Sequence, residues 1–329
     1  MHDQHSGQPS QPGISPAITL ARKALRIAKL LFTPAAVAFL LYFAWESRES
    51  LREVVASGQL KRLPIAVLLW SLMPLLAPLF AQTVFRALGH RFSYRRLAVI
   101  HIGNLPARYI PGGIWHTVGR VTAFSDLGAG KRDIAVFVLL ENVLAVSLAF
   151  VLGGPLVALY RGLTDWGLIA ALAGIGGTLG LTSLPWLLNH HLARRRKKFP
   201  AREYLMCAGT VAISWCIGAT AFVVFLTAFP DLDMRFSALE TGATYLFAWG
   251  MGFIAFFAPQ GIGVFEAVAG DMISGTGSIG NVAALLAGFR LIILLSDALV
   301  WGMYQLGRMA VQRRKRVATN ATRAGTERN

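Results

Sequence analysis

Long apolar runs alternate with short basic segments along most of the 329-residue chain. Five runs have the length of a membrane span, and they begin near Ile27, Pro64, Trp166, Tyr204 and Asn281. A sixth run, Asp133 to Tyr160, has a similar length but is interrupted by Glu141 and Asn142. A bilayer core requires about 20 consecutive apolar residues when the segment is helical. The pattern therefore predicts an all-α integral membrane protein with about six full transmembrane helices.

Two further apolar segments are broken by proline and glycine. The first, Leu97 to Arg120, is interrupted between Pro106 and Gly113, and the second, Glu240 to Gly280, between Pro259 and Gly263. At membrane depth, such a break is tolerated where the backbone is buried in protein or lines a water-filled cavity. The first segment is predicted to be a re-entrant hairpin that enters from the cytoplasmic face. The second is predicted to be a re-entrant hairpin from the opposite face, or a pair of short spans. Proline also predicts a kink in the second span, at Pro74 and Pro78.

The formal charge of +16 is concentrated beside the apolar runs, in segments such as Arg22–Lys29, Arg194–Lys198 and Arg313–Arg316. Basic residues in this position mark cytoplasmic loops. Both termini are therefore predicted to be cytoplasmic, in a multi-pass protein of the inner cell membrane. Anionic phospholipid headgroups are the expected partners of these loops, and nucleic acid is not expected.

One membrane domain, residues 21–310, is predicted between two polar tails. Residues 1–20 contain mainly polar and small residues without periodicity, which predicts a disordered cytoplasmic tail. Residues 311–329 are predicted to form a second disordered tail, which is basic and also cytoplasmic.

The same features occur in the same order in the two halves of the chain. Pro111 precedes Glu141 by 30 residues, and Pro259 precedes Arg290 by 31 residues. In each half, a broken segment is followed by a span with one charge about 12–13 Å from its start. The two spans are predicted to start on opposite faces. This order is expected of inverted-topology repeats, whose substrate site forms at the repeat interface.

Glu141 and Arg290 are the central candidates for a functional site. A charge at this depth costs about 3 kcal/mol or more, which favours a substrate or gating role over a purely structural ion pair. Two pairings remain open. In the first, Glu141 pairs with Arg290. In the second, Arg290 pairs with Asp297 on the same face of its own helix, and Glu141 pairs with another residue such as Arg108.

The polar residues around the two breaks complete the candidate site. Arg108 and Arg120 are expected either to grip a lipid phosphate or to extend to the membrane interface. Glu266 either faces water outside the membrane or binds a coupling proton. The candidate substrate-binding residues are Asn104, Arg108, Pro111, Gly112, Gly113, Arg120, Glu141, Asn142, Pro259, Gly261, Gly263, Glu266, Arg290 and Asp297.

The two broken segments resemble the signatures of a known family. The first signature comprises Asn104–Arg108 and Pro111–Gly113, followed by Leu140–Asn142. The second comprises Pro259–Glu266, followed by Phe289–Leu291. Together they resemble the transmembrane region of the lysylphosphatidylglycerol synthase/flippase family, over about residues 25–310.

This resemblance implies a multi-span protein that moves lipids between the two leaflets of a membrane. Some family members carry a fused cytosolic aminoacyl transferase. The present sequence ends in a short basic tail, so synthesis of the lipid is not expected. Fused members tend to have a Gly–Glu step where this chain has Gly112–Trp115, which leaves the headgroup open. An anionic phospholipid and a polyprenyl-phosphate-linked glycan are both candidates, and proteins of envelope biosynthesis are candidate partners.

The expected function is translocation of such a lipid, with its headgroup in a polar cleft and its acyl chains in the bilayer. The sequence has no Walker loop, zinc signature or nucleophile elbow, so enzymatic activity, metal ions and cofactors are not expected. Transport would then follow a gradient or couple to protons. Two alternatives remain: a transferase acting on a lipid phosphate, with Glu141 or His116 as general base, and a non-transporting scaffold for envelope assembly.

Overall fold

The computed structural model describes residues 59–109, 114–163, 165–192, 198–229, 237–255, 263–274 and 279–326. Within these ranges every regular element is a helix, which confirms the predicted all-α class. The predicted first span, from Ile27 to Trp45, and the N-terminal tail lie outside the described residues. So do the break residues 110–113 and 256–262.

Ten α-helices are described: α1 Arg62–Trp70, α2 Met73–Ala87, α3 Tyr94–Gly103, α4 Trp115–Asp126, α5 Lys131–Arg161, α6 Asp165–Leu192, α7 Ala201–Leu226, α8 Ala238–Ile254, α9 Val264–Ser274 and α10 Ile279–Thr326. Two short 3-10 helices accompany them. Gln59–Lys61 precedes α1, and Leu105–Tyr109 lies between α3 and α4.

Five described segments are long and apolar enough to cross a membrane: Arg62–Ala87, Lys131–Arg161, Asp165–His190, Ala201–Leu226 and Gly288–Arg313. They correspond to α1 with α2, α5, α6, α7 and the middle of α10. Each coincides with one of the six spans predicted from the sequence. The described part of the chain therefore has the architecture of a helical membrane protein.

The span Arg62–Ala87 is divided where proline predicts a kink. Helix α1 ends at Trp70 and α2 begins at Met73. Pro74 has no N–H, and its ring would clash with the carbonyl group of Trp70 if one helix continued through it. The hydroxyl group of Ser71 donates a hydrogen bond of 2.7 Å to the carbonyl oxygen of Val67, which closes the end of α1. Pro78, by contrast, is accommodated within α2.

Helix α5 packs closely against both α6 and α8. A Cβ atom at Gly154 would lie 2.5 Å from the carbonyl oxygen of Ala170 in α6. A Cβ atom at Gly153 would lie 2.9 Å from the carbonyl oxygen of Ala243 in α8. Small residues commonly allow such close contact between membrane helices, whose association depends on packing rather than on the hydrophobic effect.

Two buried aromatic clusters position the helices that carry the candidate residues. Phe124 of α4 packs on Phe85 of α2, with ring centroids 4.8 Å apart, and on Phe137 of α5, at 5.1 Å. Phe289 of α10 packs on Phe222 of α7, at 5.0 Å. The first cluster holds α4 at Phe124, one helical turn after Arg120. The second holds α10 at Phe289, directly before Arg290.

Both breaks lie between helices shorter than a typical span. The first break separates α3 and the 3-10 helix from α4, and the second separates α8 from α9. These four α-helices have 10, 12, 17 and 11 residues, against the roughly 20 that a typical span contains. We refer below to Tyr94–Asp126 as the first broken segment and to Ala238–Ser274 as the second.

Helix α10 connects both broken segments and extends beyond its apolar part. It packs against α3, the 3-10 helix Leu105–Tyr109 and α9. It continues to Thr326, through most of the segment predicted to be a disordered basic tail. Residues 308–324 contain no glycine or proline and are rich in arginine and alanine, which favour a helix.

Candidate functional site

The charged candidate residues form three ion pairs in the described structure, and each pair joins a broken segment to a long helix. The pairs are Arg120–Glu141, Arg108–Asp297 and Glu266–Arg290. They differ from both pairings considered from the sequence. Two helical turns, about 10.5 Å, separate Arg290 from Asp297 along α10, and each of these residues meets a different broken segment.

Arg120 and Glu141 form a two-point contact between α4 and α5. Their Nη1–Oε1 distance is 2.5 Å and their Nη2–Oε2 distance is 2.8 Å. The Arg120 guanidinium also lies 5.6 Å from the centre of the Phe137 ring. The side chain of Arg120 is 5% exposed and that of Glu141 is 27% exposed. A fork of parallel charge-assisted hydrogen bonds fixes the direction of both groups and balances their charges.

Asp297 joins α10 to the 3-10 helix of the first broken segment. Its Oδ2 atom accepts hydrogen bonds from Nη1 of Arg108 at 3.0 Å and from the hydroxyl group of Tyr109 at 2.9 Å. The Asp297 side chain is 2% exposed. Leu105 packs with Val300 of α10 and so supports this contact. Tyr109 was not predicted as a site residue, and its position directly after Arg108 was the only signal in the sequence.

Glu266 makes two contacts at the start of α9, one with each of its carboxylate oxygens. Its Oε1 atom lies 2.5 Å from Nε of Arg290, and its Oε2 atom accepts a hydrogen bond of 2.7 Å from the backbone N–H of Gly263. Gly263 has a φ angle of +87°, a left-handed conformation that glycine adopts without steric cost. The carboxylate thus caps α9 and holds it to α10.

Two histidines lie close to the arginines of the first broken segment. Burial, followed by the positive charges of Arg120 and Arg108, lowers the pKa of His101 well below its ordinary value of 6.5. The same causes, in the same order, lower the pKa of His116. Both residues lie outside the five spanning segments. Both imidazoles are therefore neutral at physiological pH and can donate or accept a hydrogen bond.

Three buried polar atoms around these ion pairs have no hydrogen-bond partner among the described residues: Nε of Arg120, Nε2 of His101 and Oδ1 of Asp297. A fourth such atom, the hydroxyl oxygen of Tyr245, belongs to the aromatic cluster next to Arg290. Buried polar groups are normally hydrogen-bonded, and a group left without a partner destabilises a protein by about 1–3 kcal/mol. Such atoms are therefore the first places to seek contacts with a polar ligand.

The side chains of the two candidate asparagines form hydrogen bonds with the backbone one helical turn before them. The side-chain amide of Asn104 donates to the carbonyl oxygen of Ile100 at 2.8 Å, and that of Asn142 donates to the carbonyl oxygen of Val138 at 2.7 Å. Asn104 also packs against Gly119, where a Cβ atom would lie 2.2 Å from its Oδ1 atom. Asn104 therefore helps hold the two arms of the first broken segment together.

The remaining candidates, Pro111, Gly112, Gly113, Pro259 and Gly261, lie outside the described residues. Of the two break motifs, the structure describes residues 104–108 of the first and residues 263–266 of the second. The charged candidates form two groups. Arg108, Arg120, Glu141 and Asp297 belong to the first, and Glu266 and Arg290 belong to the second.

A separate cavity of about 150 Å³ lies among the ends of α5, α8 and α9. It is lined by Val157, Tyr160, Arg161, Glu240, Thr244 and Met272. Arg161 donates a hydrogen bond to the carbonyl oxygen of Met272 there. None of the three ion pairs lines this cavity.

These features define a helical membrane protein whose two broken segments are tied to long helices by paired charges. A comparison of the chain with models of known protein families gave no match, and a comparison with proteins of curated function gave no significant match.

Proposed function

We propose that this protein moves a lipid with an anionic, phosphate-bearing headgroup across a membrane. The observation that carries the proposal is the pair of arginines, Arg108 and Arg120, which are held by carboxylates of two different long helices. Beside them lie buried polar atoms that have no hydrogen-bond partner in the described part of the chain. Ionisable residues at membrane depth are costly and commonly mark the path of a substrate or ion. The lipid is an anionic phospholipid or a polyprenyl-phosphate-linked glycan.

The relation between the two broken segments supports this proposal. In the first segment, arginines bind carboxylates of long helices, whereas in the second a carboxylate, Glu266, binds an arginine of a long helix. We interpret the segments as re-entrant hairpins that enter from opposite faces and belong to two inverted repeats. Transporters built in this way bind substrate near the bilayer midplane, where the repeats meet. The resemblance to the flippase family points in the same direction.

The orientation follows from the charged loops rather than from the ion pairs. We place both termini in the cytoplasm of a cell with an inner membrane, because the basic segments lie beside the ends of the spans that lead to them. Anionic phospholipids would then contact these loops. Proteins of envelope biosynthesis are the expected partners, because they would make or use the transported lipid.

The contacts of the two candidate general bases argue against a lipid-phosphate transferase. Before a substrate binds, both oxygens of Glu141 accept hydrogen bonds from Arg120, so the carboxylate is not held ready to accept a proton. The lowered pKa of His116 makes its imidazole a weak base. Translocation requires neither residue to remove a proton from the substrate.

A headgroup-accessibility assay tests the proposal. Purified protein is placed in vesicles with a labelled anionic phospholipid or a labelled polyprenyl-phosphate sugar, with and without a pH gradient. We expect the wild type to move one of these lipids, and we expect Arg290→Ala and Glu141→Gln to insert normally but to move it about tenfold more slowly or not at all, a change in barrier of about 1.4 kcal/mol or more. Asp126→Asn, at an exposed position at the end of α4, is the matched control and should behave as the wild type.

Two outcomes contradict the proposal. If the wild type moves neither lipid under any of these conditions, autonomous translocation of these lipids is wrong. If Arg290→Ala supports envelope assembly in cells as well as the wild type while no lipid moves in vesicles, the scaffold alternative is favoured.

A further inference from the structure

The first broken segment carries two arginines whose charges are balanced by two different helices. Arg120 is bound by Glu141 of α5, and Arg108 is bound by Asp297 of α10. The four groups have no net formal charge. An anion that enters this site must therefore compete with a carboxylate already in place.

The two carboxylates differ in their freedom to leave. The Asp297 side chain is 2% exposed, and its Oδ2 atom also accepts a hydrogen bond from Tyr109. The Glu141 side chain is 27% exposed, and both of its hydrogen bonds in the described structure come from Arg120. Glu141 is therefore held by a single residue and is partly exposed, whereas Asp297 is buried and fixed by two donors.

Two buried side chains, each with a nitrogen atom that has no partner in the described structure, lie beside the same aromatic ring. The guanidinium of Arg120, whose Nε atom has no partner among the described residues, lies 5.6 Å from the centre of the Phe137 ring. The His101 ring, whose Nε2 atom also has none, lies 6.1 Å from that ring. Arg120 is 4% exposed and His101 is 3% exposed. The neutral state of His101 allows its ring nitrogen to donate a hydrogen bond.

We propose that Arg120, Arg108 and His101 form a binding site for the phosphate group of the transported lipid, and that Glu141 is an internal counter-ion that this phosphate displaces. The assignment of a lipid rests on the function proposed above, whereas the phosphate site and its counter-ion rest on the contacts of these side chains.

The chemistry of the exchange follows from the shape of the two anions. A phosphate presents pairs of oxygen atoms to the planar guanidinium fork, as a carboxylate does. Replacement of one anion by another leaves Arg120 paired throughout, whereas loss of Glu141 alone would leave a buried charge without compensation. Return of Glu141 to Arg120 would then release the headgroup.

This mechanism predicts that binding and transport respond in opposite directions when Glu141 is neutralised. Glu141→Gln removes the competing charge, so the phosphate binds more tightly. The same change removes the group that expels the phosphate, so transport becomes slower. A carboxylate that only supports the fold would lower binding and transport together.

The test measures binding to the purified full-length protein by isothermal titration calorimetry. The probes are short-chain phosphatidylglycerol, short-chain diacylglycerol, which lacks the phosphate, and inorganic phosphate. For phosphatidylglycerol, we expect Glu141→Gln to bind at least about tenfold more tightly than the wild type, as removal of a close competing charge predicts. We expect Arg120→Gln to lose binding, and Arg120→Lys to recover only part of it because lysine lacks the planar fork.

Diacylglycerol should bind each protein weakly and equally. Asp126→Asn serves again as the control and should match the wild type. Should Glu141→Gln fail to fold, Glu141→Asp keeps the charge but shortens its reach, and it should strengthen binding in the same direction by a smaller factor.

The proposal is overturned if folded Glu141→Gln and Glu141→Asp bind phosphatidylglycerol no more tightly than the wild type. Tighter binding of inorganic phosphate than of phosphatidylglycerol would overturn the assignment to a lipid headgroup. Failure of this inference is distinguishable from failure of the proposed function. A wild type that moves lipid without the Glu141→Gln effect refutes only the counter-ion, and the expected binding order without any lipid movement refutes only translocation.

Discussion

Arg290 and Asp297 lie two turns apart on α10 and bind different broken segments of the chain. Arg290 meets Glu266 of the second segment, and Asp297 meets Arg108 of the first. One rigid helix therefore holds both segments through charges separated by about 10.5 Å along its axis. A shift of α10 along its axis would disturb both contacts together.

The contact between Asp297 and Arg108 is expected to stabilise the protein. Asp297→Asn leaves Arg108 without its carboxylate, and breaking a buried ion pair typically destabilises a protein by about 3–5 kcal/mol. Because Arg108 is 35% exposed, we expect a loss below the lower end of that range. Thermal unfolding in detergent measures the effect.

The double variant Arg108→Gln/Asp297→Asn provides the control for this pair. It should be less destabilised than the sum of the single variants, because the two residues interact directly. Strictly additive effects would contradict the contact.

The close approach of α5 and α6 predicts that one glycine tolerates alanine and another does not. Gly154→Ala places a Cβ atom 2.5 Å from the carbonyl oxygen of Ala170, so the helices must separate. We expect a destabilisation of about 1–3 kcal/mol, as for other overpacked sites. Gly176→Ala is the matched control, because, apart from its chain neighbours and the nearby backbone of α6, no described atom lies within 4 Å of the added Cβ.

At Gly176, alanine should leave the melting temperature unchanged or raise it slightly, since alanine favours a helix over glycine. Equal melting temperatures for the Gly154 and Gly176 variants would contradict the packing of α5 on α6.

Stability is expected to fall at acid pH because of His101. Burial first, and then the charges of Arg120 and Arg108, keeps its folded-state pKa well below 6.5. The unfolded chain takes up a proton near pH 6.5, so below that pH it binds more protons than the folded chain. The unfolding free energy should therefore decrease as the pH falls from 6.5, by up to about 1.4 kcal/mol per pH unit for this one group.

A comparison of melting temperatures between pH 8 and pH 5 checks this prediction. His101→Gln should show a shallower decline than the wild type, although His116 contributes a similar decline in both proteins. Parallel curves for the two proteins would show that His101 does not titrate in this way.

The sequence alone predicted the spans well, because apolar length is a local property of the chain. Five of the predicted spans coincide with described helices, and the break before Pro74 follows from the chemistry of a single residue. The close approach at Gly153 and Gly154 could not be predicted, because it depends on which faces of α5, α6 and α8 meet.

The charged residues that form the three ion pairs could be selected from the sequence, but their partners could not. A charge inside an apolar run identifies Glu141 and Arg290 as unusual. The choice of Arg120 for Glu141, and of Glu266 for Arg290, depends on how the broken segments pack against α5 and α10. Tyr109 was missed for the same reason, since only its position directly after Arg108 distinguished it from other tyrosines near membrane segments.

The most direct test of the account compares the movement of phosphatidylglycerol in vesicles that contain the wild type, Arg120→Gln or no protein. We predict that the wild type exposes labelled headgroups of the inner leaflet faster than empty vesicles do, and that Arg120→Gln, inserted to the same level, returns the rate to that of empty vesicles. Equal rates for the wild type and Arg120→Gln, both above the empty vesicles, would contradict a transport path through this site.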